Sequence, residues 1–496
     1  MLSNYIKVTD KEIAEGTQEV NLGYSPHNIF IIPFQKKPMS AKSEPAISEP
    51  AKSEPAISEP AVNAIAPINK KTICLGMIVK NEAQIIIQTL TQLTSFINFD
   101  YWVINDNGST DGTQELIRTF FKEKGIPGEL DETEWRDFAY NRTVVFDRAY
   151  NKTDYIFVWD ADDTIHGNFT FPSDELLIYD NYYFIFGNDS GFRWNRFQLF
   201  NNHLHWKYIG ILHEYPSCKE SNKELSTYTV NGDYYFVGRT IGNRSNDSEK
   251  YKKDGILLEN AFKEAYEKGD EIYGRYAFYA AQSYKDCGMC EKALEYYKKV
   301  LSLNNWNQEK YVSCLEIYTL YESMGQEESG LFYLIESFKY HSKRVECIYR
   351  LVKYYCIKGM HEVAYAYYTL IKDYYENEYE NDENISGYLF MRKSEYDFYL
   401  PYYMIIVSER LKIYDTYSKM YEIIFNKRVL NIGTWWINYL YNNIQFGIDK
   451  FPQTEEFLKS MIAYVNSYDK DIENRKFIKC VLSYYKHVLN MDCGSI

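Results

Sequence analysis

Three clusters of acidic and amide side chains stand at the ends of apolar runs. The sharpest is Asp160-Ala161-Asp162-Asp163, directly behind the run YIFVW at residues 155–159. Carboxylates at i and i+2 after a strand can both turn toward one ligand where the pleat relaxes. Hard oxygen donors of this kind suit Mg²⁺ or Mn²⁺, and such an ion commonly takes phosphate oxygens as well. A departing diphosphate gathers negative charge as its bond breaks, and a bound cation stabilises that charge. The second cluster runs from Asp106 to Asp111, and the third is Lys80-Asn81-Glu82. D-x-D alone is common in surface turns; its place behind a buried strand gives it weight.

The elements that must position these clusters can be read from the period of the apolar residues. Thr72–Val79 is a nearly continuous apolar run of strand length. Ile86, Leu90 and Leu93 then fall at helical spacing. Tyr101–Asp106 reads as a strand, Thr113–Phe121 as a helix, and the run before Asp160 as a further buried strand. Alternating strands and helices, with strands apolar throughout, predict an α/β domain whose parallel or mixed sheet is covered on both faces. In such sheets ligands bind beyond the carboxyl ends of the strands. All three polar clusters fall at those ends.

With 496 residues the chain has length for two or three domains. Hydrophobic residues make up 45% and charged residues 25%, which fits folded domains with sizeable cores. The net charge of −14 disfavours nonspecific binding to nucleic acid or anionic membrane and mildly favours a neutral or basic partner. No apolar run approaches the roughly 20 residues of a membrane span, and the N-terminus shows no signal-peptide core. Nine Cys are scattered through aromatic and aliphatic runs and read as free thiols. Several Asn-x-Ser/Thr sequons, among them those at Asn107 and Asn141, fall near the expected pocket, where a glycan would obstruct it. Both observations point to a reducing, cytoplasmic compartment. Fifty Tyr predict cores built partly from rings with polar tips.

Residues 1–70 read as an N-terminal arm and a Pro/Glu-rich flexible linker. AKSEPAISEP occurs twice in tandem at 41–60, with Pro at every fifth position. Residues 71–245 form the α/β domain. From about residue 246 the pattern becomes helical. Tyr284 is followed by Gly288, Ala293, Tyr297 and Val300. The same offsets recur at Tyr321, Gly325, Gly330, Leu334 and Ser337, and again at Tyr355, Gly359, Ala364, Tyr368 and Ile371. A bulky residue, a glycine in the turn and a small residue where two helices cross is the logic of a tetratricopeptide-type hairpin. Residues 246–400 are therefore expected to be helical repeats. Residues 401–496 are expected to cap them, with helical segments at 402–425, 435–446, 454–468 and 472–489.

Residues 72–215 resemble a family 2 glycosyltransferase of the GT-A fold. The residues that carry the resemblance are CLGMIVKNEA at 74–83, VINDNGSTDGT at 103–113, DADD at 160–163 and HWKYIGILHEY at 205–215. The helices that follow resemble the tetratricopeptide tails that some of these enzymes carry. The implied architecture is a Rossmann-like GT-A mixed sheet followed by an all-α TPR-like array. The implied activity is metal-dependent, inverting transfer of a sugar from a nucleotide-diphosphate sugar, UDP-sugar being the family's common donor. By the same resemblance Asp106 and Asp111 shape the nucleotide pocket, one of them recognising the base. Glu82 reaches the base or ribose. Asp160 faces the ribose or a metal-bound water. Asp162 is the direct ligand of Mn²⁺ or Mg²⁺, and His213 completes the metal or diphosphate site. Arg142 is a further candidate contact of the nucleotide; many members have Arg then Asn where this chain has Asn141 then Arg142.

Inversion requires a base on the acceptor side, within hydrogen-bond reach of the attacking hydroxyl. Glu214 and Asp163 are both available, and its place beside His213 favours Glu214. Arg193, Trp194, Arg196 and Trp206 flank the expected cleft, although Trp206 could equally cover the sheet. Cys287 and Cys290 have redox spacing but sit in a helical turn, without the strand-to-helix context of a redox site. The repeats suggest a macromolecular acceptor, protein or glycan, or self-association into a homo-oligomer. Two other functions compete: nucleotidyl or phosphate transfer on the same sheet, and a catalytically inactive scaffold that binds a peptide. The first lacks a glycine-rich phosphate loop after the first strand, and the intact Asp160 and Asp162 speak against the second.

Overall fold

The computed structural model describes residues 70–187, 193–218, 224–239, 248–382, 385, 387–426, 440, 443, 448–450, 454–467, 479, 481–484 and 486. Apart from Lys70, the expected arm and linker lie outside the described residues. So do most of the helices expected at 435–446 and 472–489.

The first strands are β1 (Ile73–Val79), β2 (Tyr101–Asp106), β3 (Gly128–Asp131) and β4 (Tyr155–Val158). They pair in parallel in the order β3-β2-β1-β4. Helices α1 (Ile86–Phe96), α2 (Thr113–Lys124) and α3 (Phe138–Ala149) connect or flank them. Ile86, Leu90 and Leu93 of α1 are fully buried, as their spacing requires. Beyond β4 the sheet continues with β5 (Asp163–Gly167), β6 (Asn181–Gly187), β7 (Arg193–Asn201), β10 (Thr227–Val230) and β11 (Tyr234–Gly238). Strand β7 runs antiparallel to both β4 and β6, so the nine-stranded sheet is mixed. Strands β8 (Trp206–Ile209) and β9 (Tyr215–Cys218) form a separate hairpin.

Helix α3 crosses β1 closely because Gly76 has no side chain. A Cβ there would lie 2.8 Å from Ile156 Cδ1 and 2.9 Å from Val145 Cγ1. Asp137 caps the helix by accepting the Tyr140 N–H at 2.7 Å. Arg142 sits one turn before Val145, on the same helix face, and so is carried to the rim where β1 and β4 end.

Helices follow from Lys250: α4 (Lys250–Lys268), α5 (Tyr273–Asp286), α6 (Cys290–Ser302), α7 (Asn307–Ser323), α8 (Glu327–Glu336), α9 (Glu346–Ile357) and α10 (His361–Thr369). The pairs α5–α6, α7–α8 and α9–α10 are the three expected hairpins. Gly288, Gly325 and Gly359 occupy their turns with φ of 78°, 70° and 72°, the left-handed conformation that glycine adopts without strain. Ala293 and Ala364 are fully buried at the helix crossings. The array is TPR-like. One expected helix differs: residues 402–425 divide into α11 (Leu400–Leu411) and α12 (Tyr414–Asn426), because Lys412 turns left-handed at φ 59°. The α/β domain and the helices meet through the β8–β9 hairpin. There Leu212 is buried in one apolar cluster with Ile272, Tyr276 and Ala277 of the helical part.

Seven described cysteines are free, and Cys287 and Cys290 flank the turn of the first hairpin as expected. Among the described residues, no helix is long and apolar enough to cross a membrane.

Candidate active site

The three polar clusters meet at one rim because β1, β2 and β4 are adjacent and parallel. Asp106 ends β2, opposite Val79 of β1. Past β4 the chain bends at Asp160, where the Asp163 N–H returns to the Asp160 carbonyl at 3.1 Å. Asp163 then opens β5, paired with Gly238 of β11.

Asp160 is locked between two arginines. Arg142 Nη2 donates to Oδ1 at 2.6 Å and Arg196 Nη2 to Oδ2 at 2.7 Å. Burial alone would raise its pKa, but the charges of Arg142 and Arg196 hold it well below the usual carboxylate range. Arg142 also donates through Nε to Glu214 Oε1 at 2.7 Å and lies over the Tyr208 ring. One buried guanidinium thus joins the strand-end acid to the β8–β9 turn. Arg196 Nη1 approaches Asp163 at 3.5 Å. Asp163 is 2% exposed, and burial together with the Asp160 charge pushes its carboxyl well above the usual range. The two neighbouring acids are thus pushed in opposite directions, Asp160 down by its arginines and Asp163 up by burial and the Asp160 charge.

Asp162 and Glu82 form a second acidic group. Burial, then the Asp160 charge, raises Asp162. Burial, then Asp162 and Asp111, raises Glu82 from 4.5 to about 7. Negative charge here exceeds what the neighbouring side chains compensate. An acid whose value is higher folded than unfolded binds more protons in the folded state, so stability falls as pH rises from about 4.5 through about 7. Glu82→Gln is expected to melt on the order of 2 °C above the wild type at about pH 8 in EDTA. The gap should close toward about pH 5, and thermal melts across that range measure it.

The two aspartates of the second cluster divide their work. Asp111 accepts from Thr113 Oγ1 at 2.6 Å and from the Ala83 N–H at 3.0 Å. Against a burial penalty, these bonds from Thr113 and Ala83 hold it low. It ties the first loop to the start of α2. Asp106 accepts from the Gly108 and Ser109 N–H groups through Oδ1, while its buried Oδ2 has no hydrogen-bond partner.

The resemblance implies that His213 completes the metal or diphosphate site. It lies instead in the turn between β8 and β9, with φ 54°, and its ring stacks on Tyr279 of α5 at 3.9 Å. Among the described residues, no three His, Cys, Asp or Glu side chains converge closely enough to hold an ion by themselves. The expected set of Asp160, Asp162 and His213 is therefore not assembled as a group. Asp160 is turned to its arginines and His213 to the helical array. A divalent ion that also takes donor phosphates needs only one or two protein carboxylates, and Asp162 fits that requirement.

Several site residues carry weaker sequence signals. Arg239, which donates through Nε to the Asp162 carbonyl at 2.8 Å, lies far along the chain. Its Nη2 is buried without a hydrogen-bond partner. Arg196 is a charge inside strand β7, and this was its only marker. Trp206 proves to cover the sheet: it is 6% exposed and packs edge-on against Phe200.

Residues 74–225 match the family described as Glycosyl transferase family 2. The chain carries a family 2 glycosyltransferase domain. Residues 74–225 are therefore a glycosyltransferase domain in class. Solved structures similar to the chain include S. aureus TarS 1–349 in complex with UDP-GlcNAc, at 10% identity and a TM-score of 0.30 over 54% of this chain and 91% of that one. The mannosyltransferase PcManGT from Pyrobaculum calidifontis, in complex with GDP-Man and Mn²⁺, aligns at 13% identity and a TM-score of 0.28, covering 65% of this chain and 92% of that one. A tetratricopeptide repeat protein from Parabacteroides merdae aligns at 10% identity and a TM-score of 0.26, covering 46% of this chain and 99% of that one. No curated protein matches the chain.

Proposed function

We propose that this glycosyltransferase moves a sugar from a UDP-sugar to a hydroxyl of a protein or glycan acceptor, with inversion, and that Asp162 holds Mn²⁺ or Mg²⁺ beside the donor diphosphate. The observation that carries this reading is the arrangement at the strand ends. Glu82 and Asp162 lie together there, each raised by burial and by neighbouring carboxylates, beside Asp160 clamped by Arg142 and Arg196. When bound, the ion would neutralise charge that gathers on the leaving diphosphate.

The chain's own residues do the rest. Asp106 Oδ2, buried and lacking a partner, is the acceptor available to a base N–H. Asp111, whose oxygens hold the loop, shapes that pocket. Glu82 closes it on the ribose side. Asp160 keeps Arg142 and Arg196 in register and fixes the turn that presents Asp162. Arg239 directs its buried Nη2 to a phosphate oxygen. Arg142 fixes Glu214 through Oε1, which leaves Oε2 to accept the acceptor hydroxyl proton. As that proton moves, the hydroxyl oxygen bonds to the anomeric carbon and the carbon–phosphate oxygen bond breaks toward the diphosphate. Glu214 is better placed for this than Asp163, which is 2% exposed and faces Arg196 at 3.5 Å.

The test is calorimetric titration of UDP in Mn²⁺ and in EDTA. Mn²⁺ should tighten UDP binding to the wild type by roughly tenfold or more, and Asp162→Asn should abolish that gain. Equal affinity in Mn²⁺ and EDTA would remove the metal from the proposal. Tighter binding of GDP than UDP would remove the uridine assignment.

A further inference from the structure

We propose that the helical array completes the catalytic machinery: Arg275 on α5 is a positioning residue that holds the His213–Glu214 turn in its working conformation. This rests on the reading of Glu214 as the base.

His213 adopts φ 54°, which non-glycine residues hold only where neighbours enforce it. The enforcing contacts come from the helical part. Arg275 donates to the His213 carbonyl through both Nε, at 3.0 Å, and Nη2, at 2.9 Å. Tyr279, one turn further along α5, stacks its ring on the imidazole with an interplanar angle of 11°. The Ile211 N–H donates to Tyr276 Oη at 3.2 Å. Arg275, Tyr276 and Tyr279 of α5 thus grip the backbone and the ring of the turn.

Arg275 is itself oriented from the second hairpin. Its Nη1 lies 3.6 Å from Glu309 Oε1 on α7. Asn305 Nδ2 donates to Glu309 Oε2 at 2.8 Å and to the Gly274 carbonyl at 2.7 Å, which ties α5 to α7. Its guanidinium also lies over the Tyr215 and Tyr279 rings. The residue after His213 is Glu214, held from the opposite side by Arg142. A continuous polar path therefore runs from Glu309 through Arg275, the His213 carbonyl, Glu214 and Arg142 to Asp160. If Arg275 is lost, the left-handed turn can relax, and Glu214 Oε2 leaves the line of the acceptor proton. A small misplacement of a reacting group is costly in rate.

The experiment uses the full chain and compares the wild type, Arg275→Ala, Arg275→Lys, Glu214→Gln and the double variant Arg275→Ala/Glu214→Gln. Readouts are kcat, donor KM, UDP affinity with Mn²⁺, and melting temperature. Arg275→Ala should lower kcat about tenfold to a hundredfold while donor KM and UDP affinity stay within about twofold. Arg275→Lys should restore only part, since one ammonium cannot replace two fixed N–H donors. In the Glu214→Gln background the further loss from Arg275→Ala should be about twofold or less, because the two residues act through one function. Wild-type kcat in Arg275→Ala, beside an impaired Glu214→Gln, overturns this proposal alone. Equal losses in kcat and UDP affinity also overturn it, since they mark a general structural role. An unimpaired Glu214→Gln removes the reading of Glu214 as the base, and this proposal with it. Should Arg275→Ala fail to fold, Glu309→Gln serves instead: a severalfold fall in kcat at unchanged donor KM supports the path, and no change overturns it.

Discussion

Glu214→Gln is expected to lower kcat for transfer by about 10²–10⁴-fold, with UDP binding little changed. The amide keeps the shape of the carboxylate, and its oxygen can still accept from Arg142 Nε. What it loses is the capacity to take a proton through the second oxygen, and that loss falls on the chemical step. Asp163→Asn is the paired control. Burial and the Asp160 charge push the Asp163 carboxyl well above the usual range, toward the neutral form that an amide resembles. That variant should keep kcat within severalfold of the wild type. Steady-state kinetics of the two variants, with UDP titrations alongside, separate the candidates. Strong loss in Asp163→Asn with a near-normal Glu214→Gln would transfer the role of base to Asp163.

The second large effect is on stability. Arg142→Met should destabilise the α/β domain by about 3 kcal/mol and abolish transfer. The side chain is 8% exposed and faces two carboxylates whose side chains are 21% and 13% exposed, Asp160 and Glu214. Removing the guanidinium leaves Glu214 without its ion-pair partner and Asp160 with Arg196 alone. The cost arises from stranded charge more than from lost attraction, so it is largest when both acids remain. Urea denaturation of Arg142→Met, Glu214→Gln and the double variant measures this. The double variant should be more stable than the sum of the single losses allows. Arg142→Lys should not rescue activity, because one ammonium cannot bridge two carboxylates as a planar fork does. A melting curve for Arg142→Met that coincides with the wild type would show that the bridge contributes nothing.

Much of the scaffold was legible because the signals are local. A strand buried on both faces is a continuous apolar run, and β1, β2 and β4 ended where the polar clusters began. The helical hairpins showed themselves through glycines that a left-handed turn requires, at Gly288, Gly325 and Gly359. The break at Lys412 carried no such mark, since a lysine that turns left-handed looks like any other lysine in an apolar-periodic helix. The turn at His213 is unmarked for a similar reason. A short apolar stretch before it fits a strand end as well as the tight turn of a hairpin whose shape a distant helix enforces.

The residue types and their order determined that this chain would place carboxylates at the ends of parallel buried strands and follow them with stacked helical pairs. Only the tertiary structure decided what each carboxylate faces. Arg142 reaches Asp160 across 18 positions and Glu214 across 72, and Arg275 reaches the His213 carbonyl across 62. Periodicity and capping act over a few residues, whereas these pairings depend on how α3 crosses the sheet and how α5 docks on the hairpin. That is why the sequence could nominate Asp160, Asp162 and His213 as one set, and packing turned one of them to two arginines and another to a tyrosine of the helical array.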